Sequence, residues 1–244
     1  MQSGKKRLLA LAAAMVFFCA QGALAEFEPA ALPVRVGVDV SQWQEKIDFA
    51  RVKEAGVWGV YIRSTLGTDY RDPFFERNAE GACGAGLEYG FYHFLTATSV
   101  EEAETQAAFF AREIARYRFT LRPATDFGVG DGVLSDDEFN RVAAAFLARV
   151  EQLTGVRPAI YSDAYGARTR YFRSLSRYPL WVADYAQTPE PNGKWDAWAG
   201  WQYADDGRVC GIDGNVDVDW FTDALRVDAP EPSPSPSPAP CGAE

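Results

Sequence analysis

A chain of 244 residues carries only one histidine, His93, and four cysteines, Cys19, Cys83, Cys210 and Cys241, and they show no metal-ligand spacing. No Gly-x-Gly-x-x-Gly and no phosphate-loop lysine occurs, so neither a metal nor a nucleotide cofactor is expected. Positive charge is also scarce. The 24 Lys and Arg face 34 Asp and Glu, a net of −10, and a field of that sign repels nucleic acid and anionic membrane surfaces. Long apolar runs are lacking outside the N-terminus, so a membrane-spanning core is not expected.

The exception runs from Leu8 to about Ala20. Lys5, Lys6 and Arg7 precede it and Ala23-Leu24-Ala25 follows, a small-x-small cleavage pattern. Residues 1–25 are therefore expected to be a secretory signal; a spanning anchor needs roughly 20 apolar residues. Cleavage removes three basic residues and no acidic ones, which takes the net charge from −10 to −13. Cys83, Cys210 and Cys241 then remain in a compartment that permits disulfides, an odd number for which a Cys83–Cys210 bridge is one pairing. Residues 228–244 carry "PEPSPSPSPAP", which cannot build a core and reads as an extended tail: a spacer or, through Cys241, an attachment point. With 26–33 as a short linker, residues 34–227 are left as one domain.

What that domain does contain is a regular alternation. Strand-like runs occur at "VRVGVDVS" (34–41), "VWGVYIRS" (57–64), "LEYGFYHFL" (87–95), "RPATDF" (122–127), "RPAIYS" (157–162), "LWVADY" (180–185), "GWQYA" (200–204) and "GNVDVDWF" (214–221). Helical patterns fill most gaps. Ser99 and Ser135, each three residues before a glutamate, head amphipathic runs as capping boxes. About eight strands alternating with helices predict an α/β fold, a closed or nearly closed barrel of parallel strands, with the doubly wound open sheet as the alternative.

In such a barrel chemistry gathers at the carboxyl ends of strands. Asp39, on the face opposite Val36, Val38 and Val40, is expected to point inward there, as are Asp126 and Asp217. Tyr92, His93, Tyr161, Trp181 and Gln202 are the candidates for sugar contact, since aromatic rings stack on sugar faces and carboxylates act in glycosidic cleavage. Each has an ordinary alternative: Asp39 as a cap before "SQWQ", Trp181 and Trp201 as core, His93 as a hydrogen-bonded structural residue.

The stretches "VGVDVSQWQEKIDFARVKEAGVWGVYIR", "YRDPFFERNAEGACGAGLEYGFYHF", "RPAIYS", "LWVADY" and "WQYADDGRVCGIDGNVDVDWF" resemble, in order, the landmarks of glycoside hydrolase family 25, the N-acetylmuramidase lysozymes. The resemblance implies an irregular, flattened, TIM-like β/α barrel in a single domain. It implies cleavage of the β-1,4 bond between N-acetylmuramic acid and N-acetylglucosamine by a secreted or cell-wall-associated monomer acting on peptidoglycan glycan strands. Matched by motif, Asp39, Asp126 and Asp217 fall on the family's acidic positions. The family's glutamate, two residues after Asp126, falls on Gly128, and a second glutamate position falls on Leu66. Positions i and i+2 of a strand share a face about 6.5 Å apart, so the loss removes a proton donor from the side of Asp126. Two replacements are conceivable from the sequence: Asp131, in the glycine-bearing "GVGDG", or Asp126 itself with a raised pKa. The outcomes are an impaired hydrolase or an inactive wall-glycan-binding module.

Overall fold

The computed structural model describes residues 27–130 and 132–229. The expected signal, most of the Pro/Ser tail, Cys19, Cys241 and Asp131 lie outside the described residues. Among the described residues nine strands form one sheet: β1 (Arg35–Val40), β2 (Gly59–Leu66), β3 (Tyr70–Arg71), β4 (Glu88–Leu95), β5 (Ala124–Phe127), β6 (Ala159–Asp163), β7 (Leu180–Ala183), β8 (Gly200–Gly207) and β9 (Val216–Phe221). Their order is β1-β9-β8-β7-β6-β5-β4-β2-β3, and a β1–β2 pairing closes eight of them into a barrel. The closed barrel predicted by the alternation is therefore present. The two-residue β3 is an antiparallel appendage on β2, too short to show as a periodic run.

Outside the barrel lie α1 (Phe49–Glu54), α2 (Phe75–Gly84), α3 (Val100–Ile114), α4 (Asp136–Thr154) and α5 (Ala164–Thr169). The two expected caps form. The Ser135 side chain accepts from Glu138 N while Glu138 returns to Ser135 N, a complete box, and Gly155 ends α4 in the left-handed region at φ 71°. At α3 only half the box forms: Ser99 accepts from Glu102 N, but the Glu102 carboxylate takes the N–H and hydroxyl of Thr98 instead.

Strand alternation divides the apolar residues into two cores. Val38, Val40, Val60, Ile62, Phe91 and Leu95 face outward under Phe110, Phe146 and Leu147 of the helices. Tyr61, Ala124, Ala159, Trp181 and Phe221 face inward and fill the barrel, with Tyr61 stacked on Trp181 at 4.6 Å between centroids. Below them the buried Arg122 closes the barrel floor, donating to the carbonyls of Ala224, Arg157 and Ala229.

Two expectations are corrected by the packing, and one pairing left open by the sequence is not formed. β1, β2 and β4 to β8 run parallel, but β9 is antiparallel to both β8 and β1. Residues 208–215 hold no crossover helix, so the chain reverses in a hairpin and β9 enters the barrel from its mouth. Residues 27–30, read as linker, are docked on the barrel: Trp198 donates through Nε1 to Phe27 O, and Ala30 N donates to Trp198 O. Cys83 and Cys210 are free and exposed rather than bridged.

Candidate active site at the barrel mouth

Asp39, the fifth residue of β1, pairs across the strands with Asp217, the second residue of β9. The reversal of β9 produces this meeting, because it sets the beginning of the last strand beside the end of the first. Asp219, two residues deeper on the same face, pairs with Gly37 and Gln202. Three aspartates are thereby stacked along one wall, Asp39 and Asp219 buried and Asp217 half-buried.

Few donors serve them. Gln202 Nε2 donates to Asp39 Oδ2 at 2.7 Å, and Trp181 Nε1 donates to Asp219 Oδ1 at 2.7 Å. Among the described residues no donor reaches Asp219 Oδ2. Burial, then the charges of Asp219 and Asp217, push the Asp39 carboxyl well above the ordinary aspartate range, with the Gln202 amide opposing. Burial likewise pushes Asp219 well up, opposed by the Trp181 hydrogen bond. Asp217 rises to about 6, through burial foremost and the charge of Asp205, against the stabilising bond to Asp39. Like charges this close cannot all ionise in a dry wall, so the three share protons near neutrality and Asp217 is the first to ionise.

Across the mouth, Asp126 stands near the end of β5, flanked by Phe94 of β4 and Tyr161 of β6. Burial lifts its carboxyl to about 7; the Arg63 guanidinium opposes the shift and the Asp163 charge adds to it. Asp126 and Asp39 both bear on the phenols of Tyr92 and Tyr161, whose pKa values burial raises, so these rings are neutral donors between the two carboxyl groups. Tyr161 and Tyr185 each donate to Gln202 Oε1, at 2.9 and 3.1 Å, which fixes the amide orientation that serves Asp39.

Arg63 is held from behind. Its Nε donates to Asp72 Oδ2 at 3.0 Å, and Asp72 also accepts from Gln42 N and Phe74 N. Asp72 thus ties β2 to the turn Gln42–Gln44, whose Trp43 is 74 % exposed and whose Gln42 amide accepts from the Tyr70 hydroxyl. Ser41, not Asp39, caps that turn, so the cap alternative for Asp39 falls away.

Most of this closed barrel, from β1 through β8, falls within residues 38–212, the span matched by the family model described as "Glycosyl hydrolases family 25". The chain belongs to glycoside hydrolase family 25. Lysozyme M1 of Streptomyces globisporus is 32% identical over 197 residues, covering 76% of this chain and 67% of that protein. The autolytic lysozyme of Clostridium acetobutylicum is 32% identical over 193 residues, covering 78% of this chain and 57% of its own length. The crystal structure of a bacterial lysozyme from Streptomyces coelicolor superposes with a TM-score of 0.69 at 32% identity, over 77% of this chain and 91% of that one.

Within this family 25 barrel the sequence-derived candidates separate. Asp39, Asp126, Asp217, Tyr92, Tyr161 and Gln202 all face the mouth. His93 does not. It faces the helices, fully buried, with Nδ1 against Thr65 Oγ1 at 2.8 Å, Nε2 against Gln106 Oε1 at 3.1 Å and its ring stacked on Phe146; burial lowers its pKa to about 4. Trp181 is inward but lies in the barrel core, 1 % exposed, where its role is the bond to Asp219. Trp201 packs outside, donating to Asp184 O. Sugar contact by His93 and Trp181 is therefore set aside: strand parity sends the first outward, and depth puts the second beneath the carboxyl wall.

The sequence reading passed over Asp219, Arg63, Asp72 and Tyr185. The alternation that singled out Asp217 extends to Asp219; the others carry no local signal, since their roles come from residues distant in the chain. Gly128 continues the face of Asp126 and donates its N–H to Leu95 O. A Cβ at residue 128 would overlap the Phe94 ring, which occupies the space a side chain there would take.

Proposed function

We propose that the chain is a secreted N-acetylmuramidase-type hydrolase of peptidoglycan glycan strands, working as a monomer with Asp126 as its proton donor. The single observation carrying this reading is that Asp126 at the end of β5 and the aspartate wall of β1 and β9 share one barrel mouth, where burial lifts the Asp126 carboxyl to about 7 and that of Asp217 to about 6. Between those values one carboxylic acid and one carboxylate face a common space, the combination glycosidic cleavage requires. Asp126 protonates the leaving glycosidic oxygen as the anomeric C–O bond breaks. The Asp217 carboxylate stabilises the developing positive charge or takes a proton from the attacking water, whose oxygen completes the new bond at the anomeric carbon. Asp39 and Asp219, kept protonated, hold Asp217 and the neighbouring amide and indole in place. Exposed rings at the ends of the barrel strands, Trp43, Tyr165 and Tyr185, supply surfaces for sugar faces. The net charge of −13 after signal cleavage and the N-terminal Lys5-Lys6-Arg7 and Ala23-Leu24-Ala25 pattern support action outside the cell or at the wall and argue against nucleic acid as partner.

A second reading, a wall-glycan-binding module without turnover, is favoured by one observation: residue 128 offers no side chain, and an aromatic ring fills the position beside Asp126. Turbidity clearing of purified peptidoglycan by the mature protein, run beside Asp126→Asn, separates the two. Clearing that falls by about 10²-fold or more in Asp126→Asn supports the hydrolase. Sedimentation with the walls and no clearing supports the module, and absence of both would remove the glycan assignment.

A further inference from the structure

Strand parity turns Phe94 toward the mouth, unlike its neighbours His93 and Leu95, which face the helices. Its ring belongs to neither apolar core and is half-buried, with part of it open to the mouth beside a carboxyl group. Leu66 pairs with it across β2, also half-buried and on the same face, and Gly128 lies against the ring on the other side. Only glycine at 128 permits this placement, since a Cβ would fall inside van der Waals contact with three ring atoms. Leu66, Phe94 and Gly128 thus make a continuous apolar strip along the edge of Asp126, in a mouth otherwise lined by aspartates, tyrosine hydroxyls and a guanidinium.

We propose that Phe94, lodged on Gly128 and flanked by Leu66, is a specificity-determining platform that receives the apolar C–H face of an N-acetylated hexopyranose beside Asp126. The inference rests on the glycan-directed reading of the mouth and adds to it the residue that seats the sugar. Such a surface suits a ring face or an N-acetyl methyl and repels a charged substituent, because a carboxylate set on Leu66 and Phe94 would lose its water without gaining a donor. Gly128 acts through the ring: it is a positioning residue, not a contact.

The test is the affinity of the mature protein for a soluble, peptide-free tetrasaccharide of alternating N-acetylglucosamine and N-acetylmuramic acid, measured calorimetrically in the cold, with melting temperatures recorded for every variant. Phe94→Ala should bind about tenfold more weakly, the equivalent of one aromatic contact, while Phe94→Tyr, which keeps the ring, should stay within about threefold. Gly128→Ala should weaken binding when Phe94 is present, by displacing its ring, and should add nothing in the Phe94→Ala background. This second arm stands even if Phe94→Ala folds poorly. Unchanged affinity in well-folded Phe94→Ala, or additive losses in the double variant, would overturn the platform while leaving the glycan reading intact. No binding of the tetrasaccharide or of whole walls by the natural protein would overturn both.

Discussion

At the end of β5 the Asp126 carboxyl is lifted from an ordinary value near 3.8 to about 7, chiefly by burial, and this has consequences for stability and for rate. Below about pH 4 the group is protonated in both folded and unfolded chains and nothing is lost. As pH rises toward 7 the unfolded chain releases its proton and the folded chain does not, so the folded state loses stability by roughly 1.4 kcal/mol per unit, a few kcal/mol in all. Asp126→Asn should therefore raise the melting temperature at pH 8 and leave it nearly unchanged at pH 4. Hydrolysis needs the opposite protonation states of two groups. Activity should rise through about pH 6 as Asp217 ionises and fall above about pH 7 as Asp126 loses its proton, a narrow bell measurable by clearing rate; a flat profile from pH 5 to 8 would contradict these roles. Residue 128 yields a third outcome. Gly128→Glu alone should gain little, because its Cβ overlaps the Phe94 ring, and Gly128→Glu with Phe94→Ala, which opens the space but removes the platform, should not clear faster than the natural protein; a gain of about 10²-fold or more would show that Asp126 is not the proton donor.

Among the elements, β2 and the turn after β1 depend on one buried ion pair. Asp72 is 2 % exposed and holds Arg63, Gln42 N and Phe74 N together. Asp72→Ala leaves Arg63 buried without its partner and two backbone donors unserved, which should cost about 3 kcal/mol, read as a lower urea midpoint at unchanged slope. The same variant should weaken wall binding, since the turn carrying Trp43 loses its tether. How elements start was largely legible in the chain: Ser99 and Ser135 announce α3 and α4 through contacts spanning three residues. Asp72 was not legible, because "YRDPFF" has no period and its partners arrive through the fold. The divided box at α3 makes the same point in miniature, with Thr98 capturing the Glu102 carboxylate that Ser99 was expected to share.

For the whole molecule, closure is the governing fact. β9 enters antiparallel between β1 and β8, and Arg122 fastens the floor to the carbonyls of Ala224, Arg157 and Ala229. Arg122→Met keeps much of the side-chain volume but leaves three half-buried carbonyls without that donor, and should cost about 2 kcal/mol or more by denaturant unfolding, while the pH bell of the distant mouth keeps its shape. The eight barrel strands, the outward valines and the inward faces of Asp39, Asp126 and Asp217 are legible in the chain, because period-two alternation is a local property that each strand carries alone. The rest came with packing: the direction of β9 that joins Asp217 to Asp39, the burial that keeps protons on Asp126 and Asp219, the outward fate of His93, and the Phe94 ring resting where residue 128 has no side chain. Direction, desolvation and close approach are set by groups far apart in the chain, and become definite only when the barrel closes.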